Sequence, residues 1–123
     1  MPKLVGVLDL VEGGIIKDYK TSSTTPNPEK VAHTTEVQTS IYSVLYRENT
    51  GKMEKGIQLI HLVKTKLPKV ILTDLPSMSD EQEQRLHTLI DGYVKGIQRE
   101  DFLPSPGLQC SYCEFFHECR AWH

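Results

Sequence analysis

The sequence predicts an α/β domain in which a β-sheet is covered by helices, with the element order β-β-α-β-β-α. Three observations carry this. Residues 4–11 (LVGVLDLV) and 15–20 (IIKDYK) are aliphatic, β-branched runs on either side of Glu12-Gly13-Gly14, the composition of a tight hairpin turn. Residues 56–65 (GIQLIHLVKT) and 69–74 (KVILTD) repeat that texture around Pro68 and read as two more strands. The two remaining long stretches have helical spacing.

The first of these, residues 28–48, opens on Asn27 as N-cap with Pro28 in the first turn and closes at Asn49-Thr50-Gly51. Its expected apolar stripe is Val37, Ile41, Val44 and Leu45. The second starts at Ser79, with Gln82 as capping-box partner, and carries Leu86, Leu89, Ile90, Tyr93, Val94 and Ile97 on one face. Beyond Phe102 the chain reads as irregular. The expected organisation is a core over residues 1–103 and a Cys-containing tail over 104–123 that packs on the same domain.

A length of 123 residues, with 38% apolar and 24% charged side chains, is that of one ordinary globular domain with a single core. No apolar run approaches the roughly 20 residues of a membrane span, and the start Met1-Pro2-Lys3-Leu4 lacks signal-peptide architecture, so a cytoplasmic location and no membrane partner are expected. A net charge of -2 gives no global pull towards nucleic acid. Locally, Lys64, Lys66 and Lys69 fall within six residues, as either a solvated turn or a phosphate-contacting loop.

Chemistry concentrates at the first hairpin. With Gly13-Gly14 as a two-residue loop, Asp9 stands directly across from Asp18, their Cβ atoms about 4.5–5.5 Å apart on one face. Two carboxylates so placed repel unless neutralised, and a Mg²⁺ or Mn²⁺ ion neutralises them with the oxygen ligands it prefers. Strand periodicity puts Lys20 on the face of Asp18, across from Val7, where an ammonium can orient an attacking water and stabilise charge on a phosphate. The alternative is a surface ion pair of Asp18 with Lys20 beside an edge-facing Asp9.

Three segments in order carry a resemblance: Gly6-Val7-Leu8-Asp9, Asp18-Tyr19-Lys20-Thr21, and Gln38-Thr39-Ser40-Ile41-Tyr42. They resemble the G-x-x-D strand, the D-Y-K-T strand and the Q-x-x-x-Y helix of the RecB-like branch of the PD-(D/E)XK nuclease superfamily. That resemblance implies a restriction-endonuclease-like core with a mixed sheet. It implies Asp9 and Asp18 as metal ligands with the Tyr19 backbone carbonyl as a third, and Lys20 as the catalytic lysine. Gln38 and Tyr42, four apart on one helix face, would contact substrate. The activity implied is metal-dependent hydrolysis of DNA by an exonuclease, in phage or recombination and repair processing, with DNA and other recombination or phage proteins as partners.

The three cysteines, Cys110, Cys113 and Cys119, all fall in the last 14 residues as C-x2-C-x5-C. An odd number at that spacing points to metal rather than to disulfides. The tail is similar to that of RecB-like exonucleases of the iron–sulfur type, which implies a [4Fe-4S] cluster whose fourth cysteine lies upstream of the nuclease strands. No upstream cysteine is present here, so the chain is expected to lack the family's N-terminal portion. Zinc, with His117 or His123 as fourth ligand, is the other reading, and an unligated tail held by Phe115, Phe116 and Trp122 is a third. His61, in an apolar strand, reads as a satisfied core histidine. Two further functions stand beside the enzyme: a catalytically incomplete DNA- or partner-binding module derived from such a nuclease, and a small zinc-binding interaction domain built on the tail.

Overall fold

The computed structural model describes residues 3–101 and 104–121. By its contacts the chain forms two compact units, residues 1–90 and 91–123. The first unit holds a four-stranded mixed sheet whose spatial order follows the sequence: β1 (Leu10–Glu12), β2 (Ile15–Ser22), β3 (Gly56–Val63) and β4 (Lys69–Pro76). The pairs β1–β2 and β3–β4 are antiparallel, and β2–β3 is parallel.

The glycine hairpin forms as its residues dictate. Gly13 and Gly14 both take positive φ, 61° and 80°, which a two-residue turn of the hairpin-favoring kind needs. The resulting register pairs Leu10 with Lys17, Val11 with Ile16 and Glu12 with Ile15. The first strand is shorter than its composition suggests. Residues 3–8 are not a strand, and Val5 and Val7 are exposed, so Val7 does not stand across from Lys20. The segment leaves the ladder towards the next helix, where Gly6 sits so close to Leu45 that a Cβ would come within 2.8 Å of its Cδ1. Leu8 joins the core.

The stretch predicted as one helix is two, α1 (Pro28–Thr34) and α2 (Glu36–Thr50). The start is as expected, with Asn27 Oδ1 accepting from the amides of Glu29 and Lys30. The break falls at Thr34-Thr35, whose hydroxyls both donate to the Val31 carbonyl, a local bond that competes with the helical ladder. Gly51 closes α2 in the left-handed conformation, at φ 68°. The helical segment between them in sequence supplies the crossover that the parallel β2–β3 pair needs, and the sheet is mixed as expected.

The face that α2 buries also differs from the predicted stripe. Thr39, Ser40 and Ser43 are buried, and Tyr42 and Tyr46 pack on the core of Ile16, Ile57 and Leu59, while Val37 is exposed. The small side chains occupy the covered face of the helix, and the tyrosine rings reach the core beside them. The last long helix, α3 (Asp80–Gln98), has the predicted box: Ser79 N–H donates to Gln82 Oε1 and Gln82 N–H donates to Ser79 Oγ. Of its predicted apolar face Leu86 is buried, whereas Leu89, Tyr93 and Ile97 are exposed. Periodicity identifies an apolar face without saying what covers it.

In the second unit α3 ends with Glu100 left-handed, its amide donating to the Ile97 carbonyl and the Asp101 amide to Gly96. A short 3₁₀ helix (Leu108–Tyr112) and α4 (Phe116–Ala121) follow, so the tail is less irregular than its composition suggests. Among the described residues no helix is long and apolar enough to cross a membrane.

One ion pair with a buried carboxylate ties α2 to the loops that precede β3 and α3. Arg47 donates to both oxygens of Glu54, at 2.8 and 2.6 Å, and also to the Met78 carbonyl at 2.9 Å. Glu54 is only 2% exposed and accepts in addition from the Met78 amide. Burial pushes the Glu54 pKa up, but the Arg47 guanidinium and the backbone amides outweigh it and hold the carboxyl below its ordinary value. Removing one partner strands a buried charge, so Arg47→Ala should cost about 3–5 kcal/mol in chemical denaturation. A depressed folded pKa means the stabilisation is present above the unfolded value near 4.5 and lost as pH falls. The stability gap between wild type and Glu54→Gln should therefore narrow below that pH.

Candidate functional site

Alternation along β2 puts Ile16, Asp18 and Lys20 on the sheet face that carries the core and α2. Asp18 is 3% exposed there. Asp9 lies one step beyond the last paired residue of β1, at the position that continues the register to Asp18. It is exposed, and its Oδ2 accepts from the Tyr19 amide at 3.0 Å, which fixes its carboxylate beside β2.

The two acids interact and are pushed in opposite directions. Burial raises the pKa of Asp18 above the ordinary carboxylate range; Lys20 works against this, and Asp9 adds to it. The pKa of Asp9 is lowered, first by the Tyr19 amide and then by its hydrogen bond with Asp18. Lys20 Nζ lies 2.8 Å from Asp18 Oδ2 but out of hydrogen-bond alignment, so this buried oxygen has no aligned donor among the described residues.

From Lys20 a chain of bonds runs onto α2. Lys20 Nζ donates to Gln38 Oε1 at 2.7 Å, and Gln38 Nε2 donates to the Tyr42 hydroxyl at 3.0 Å. The helical spacing of Gln38 and Tyr42 makes this possible, since residues four apart share a face. Tyr42 serves both readings that its position allows: its ring packs on the core, and its hydroxyl closes the chain.

Asp9, Asp18, Lys20, Gln38 and Tyr42 thus converge, and the Tyr19 amide takes part through Asp9. The donor set, two carboxylates with one buried oxygen lacking an aligned donor, is of the oxygen-only kind that Mg²⁺ or Mn²⁺ takes when substrate phosphates and waters complete the shell. His61 is drawn in as well, paired in register with Lys20. It is buried, and its Nδ1 has no partner among the described residues, so the expectation of a satisfied core histidine fails at that nitrogen. Local sequence gave no sign of this, because it follows from the parallel pairing of strands 40 residues apart.

The tail residues do not converge in the same way. Cys110, Cys113 and Cys119 are free thiols, and no group of three His, Cys, Asp or Glu side chains is gathered for a metal among the described residues. Phe115 is exposed, His117 stacks edge-on against Phe116 at 5.5 Å, and Arg120 lies over the Phe116 ring. Trp122 and His123 lie outside the described residues.

The double role of Tyr42 can be separated by mutation. Tyr42→Phe removes one hydrogen bond and should cost about 1 kcal/mol. Tyr42→Ala also opens a cavity and should cost about 3 kcal/mol or more. Equal losses for the two variants in denaturant titrations would show that the ring is not packed as described.

Compared with known proteins, the chain matches the family model of the PD-(D/E)XK nuclease superfamily over residues 2–120. Among solved structures it is similar to an Eubacterium rectale protein described as a putative exonuclease, with a TM-score of 0.53 and 15% identity. That match covers 90% of this chain and 44% of the other, so the chain spans less than half the length of this structural relative. No curated protein matches it significantly. The mixed α/β sheet is that of a restriction-endonuclease-like fold, and by the family match over nearly its whole length the chain belongs to the PD-(D/E)XK nuclease superfamily.

Proposed function

We propose that this chain carries the active site of a metal-dependent deoxyribonuclease of the RecB-like branch, an exonuclease of phage or recombination and repair processing. The observation that carries the reading is the convergence of Asp9, Asp18 and Lys20 on one hairpin, with Lys20 held by Gln38. Asp9, Asp18 and the Tyr19 carbonyl would hold a Mg²⁺ or Mn²⁺ ion. Such an ion supplies Lewis acidity at a phosphate oxygen and activates water for in-line attack.

The chain's own side chains do the rest. Lys20 places a fixed positive charge beside the carboxylates, where charge develops on a phosphodiester in the transition state. Gln38 Oε1 accepts a hydrogen bond from the ammonium and so sets its direction, and the Tyr42 hydroxyl, accepting from Gln38 Nε2, fixes Gln38 in turn. Preorganisation of this kind avoids reorienting the lysine during the reaction. Asp18 Oδ2 faces the Lys20 ammonium at 2.8 Å, so a bound metal ion would share this oxygen with Lys20 or displace it.

A second reading, a catalytically incomplete DNA- or partner-binding module, is favoured by the site bringing together two acidic side chains and not a group of three metal-ligating ones among the described residues. One experiment separates the two. Purified chain with Mn²⁺ should degrade linear DNA from an end, and Asp18→Asn or Lys20→Ala should each lower the rate about 100-fold or more. Mn²⁺ should raise the unfolding temperature of the wild type and not of Asp18→Asn. Binding of DNA with no Mn²⁺-dependent cleavage would establish the incomplete module instead.

A further inference from the structure

The β3–β4 connection, residues 64–68, carries positive charge that the site residues do not account for. Lys64, Lys66 and Lys69 are all exposed, and residues 62–70 contain no acidic side chain. In a chain with a formal charge of -2, this is a local concentration of one sign. The connection is also firmly placed. The Lys64 amide donates to the Ser22 carbonyl at 2.7 Å, which ties its base to the end of β2, and Thr65 Oγ1 donates to the Leu67 carbonyl across the turn. An open groove of about 360 Å³ lies against it, lined by the charged Lys64 and Lys69 and by the apolar Leu62, Pro68 and Val70.

Its position relative to the carboxylates follows from the parallel register. Asp18 is level with Leu59 and Lys20 with His61, so both strands point the site towards the end where β3 turns over. Lys69 pairs with Val63, which in turn pairs with Ser22, and this puts Lys69 on the same sheet face as Lys20 and Asp18. At about 3.3 Å per residue, Lys64 lies about 10 Å beyond Lys20 and about 16 Å beyond Asp18 along the strands.

We infer that this lysine hairpin is the phosphate-tracking surface of the nuclease, holding the backbone of the DNA strand about three to five nucleotides away from the bond that is cut, at 3.4 Å of axis per nucleotide. The inference rests on the nuclease reading and adds where the uncleaved arm of the substrate lies. Lysine is suited to this task because it is a compact cation on a flexible stem that contacts phosphate without reading sequence. The groove accommodates sugar edges among its charged and apolar residues. The surface therefore contributes affinity and register, and no base preference.

The test compares wild type with Lys64→Gln/Lys66→Gln/Lys69→Gln, after circular dichroism has shown that both are folded. Binding to a 20-base-pair duplex, read by fluorescence anisotropy in Ca²⁺ between 50 and 200 mM salt, should lose about 2 to 3 from the slope of log affinity against log salt, since each phosphate contact contributes about 0.9. In Mn²⁺, substrates with arms of increasing length, extended separately on the 5′ and 3′ sides, should show a defect that grows with length on one side. It should be under about twofold at two nucleotides and about tenfold at eight. An unchanged salt slope, or a defect independent of arm length, overturns the inference while leaving the nuclease reading intact, provided the wild type cleaves. A wild type that neither binds nor cleaves DNA removes both, and Lys20→Ala, which should lower cleavage about 100-fold or more while changing the salt slope by about 0.9 at most, tells catalytic failure from loss of this surface.

Discussion

With Gly13 and Gly14 both left-handed, the first hairpin can turn in two residues, and that turn sets the register on which the site depends. A β-carbon at either position would strain the backbone, and a turn one residue longer would flip every β1 side chain to the other face. Leu10 would no longer meet Lys17, and the position after it in the ladder, Asp9, would no longer approach Asp18. The carboxylate pair is thus a consequence of backbone geometry two residues wide. Its proximity opposes folding of the metal-free chain, since burial and Asp9 both disfavour the Asp18 carboxylate and Lys20 offsets this only in part.

Tension at Asp18 gives meaning to the polar chain that surrounds it. A partly buried lysine beside a buried acid is costly unless both are satisfied, and Lys20 is satisfied through Gln38, a residue from another element. Gln38 in turn depends on Tyr42, whose ring belongs to the core of Ile16, Ile57 and Leu59. Core packing and site geometry therefore meet in one side chain. Loosening the core at Tyr42 would pass, two hydrogen bonds later, to the direction in which the ammonium points.

Features set by neighbours in sequence were legible before the structure: the glycine hairpin, the Asn27 and Ser79 caps, the Gly51 stop, and through the hairpin register the approach of Asp9 to Asp18. Features set by distant pairing were not. The early end of the ladder at Leu10 reflects the pull of Gly6 and Leu8 towards α2 and the core, against strand propensity that favoured residues 4–11. The burial of Thr39, Ser40 and Ser43 instead of Val37 follows from which face of α2 the sheet covers, and the Thr34 and Thr35 hydroxyl bonds that break the helix compete with a ladder that propensity alone favours. The place of His61 beside Lys20 needed the parallel register, and the Arg47–Glu54 pair has no short-range signature at all.

That last pair has a counterpart at the other end of α2. Glu36, in its first turn, accepts two bonds from Arg85 at 2.9 and 2.8 Å, so each end of the helix is gripped by an Arg–carboxylate fork. The forks are unequal. Glu54 is buried and Arg47 is 19% exposed at its side chain, whereas Arg85 is 57% exposed and shares its charge with solvent. Breaking a buried pair costs about 3–5 kcal/mol, and an exposed one contributes about 1 kcal/mol or less. Gln38 lies two residues from the weak fork, and Tyr42 lies towards the strong one. Salt therefore weakens the Glu36 end of α2 before the Glu54 end, and the polar chain from Lys20 is anchored through Tyr42 on the core and not through the weaker fork.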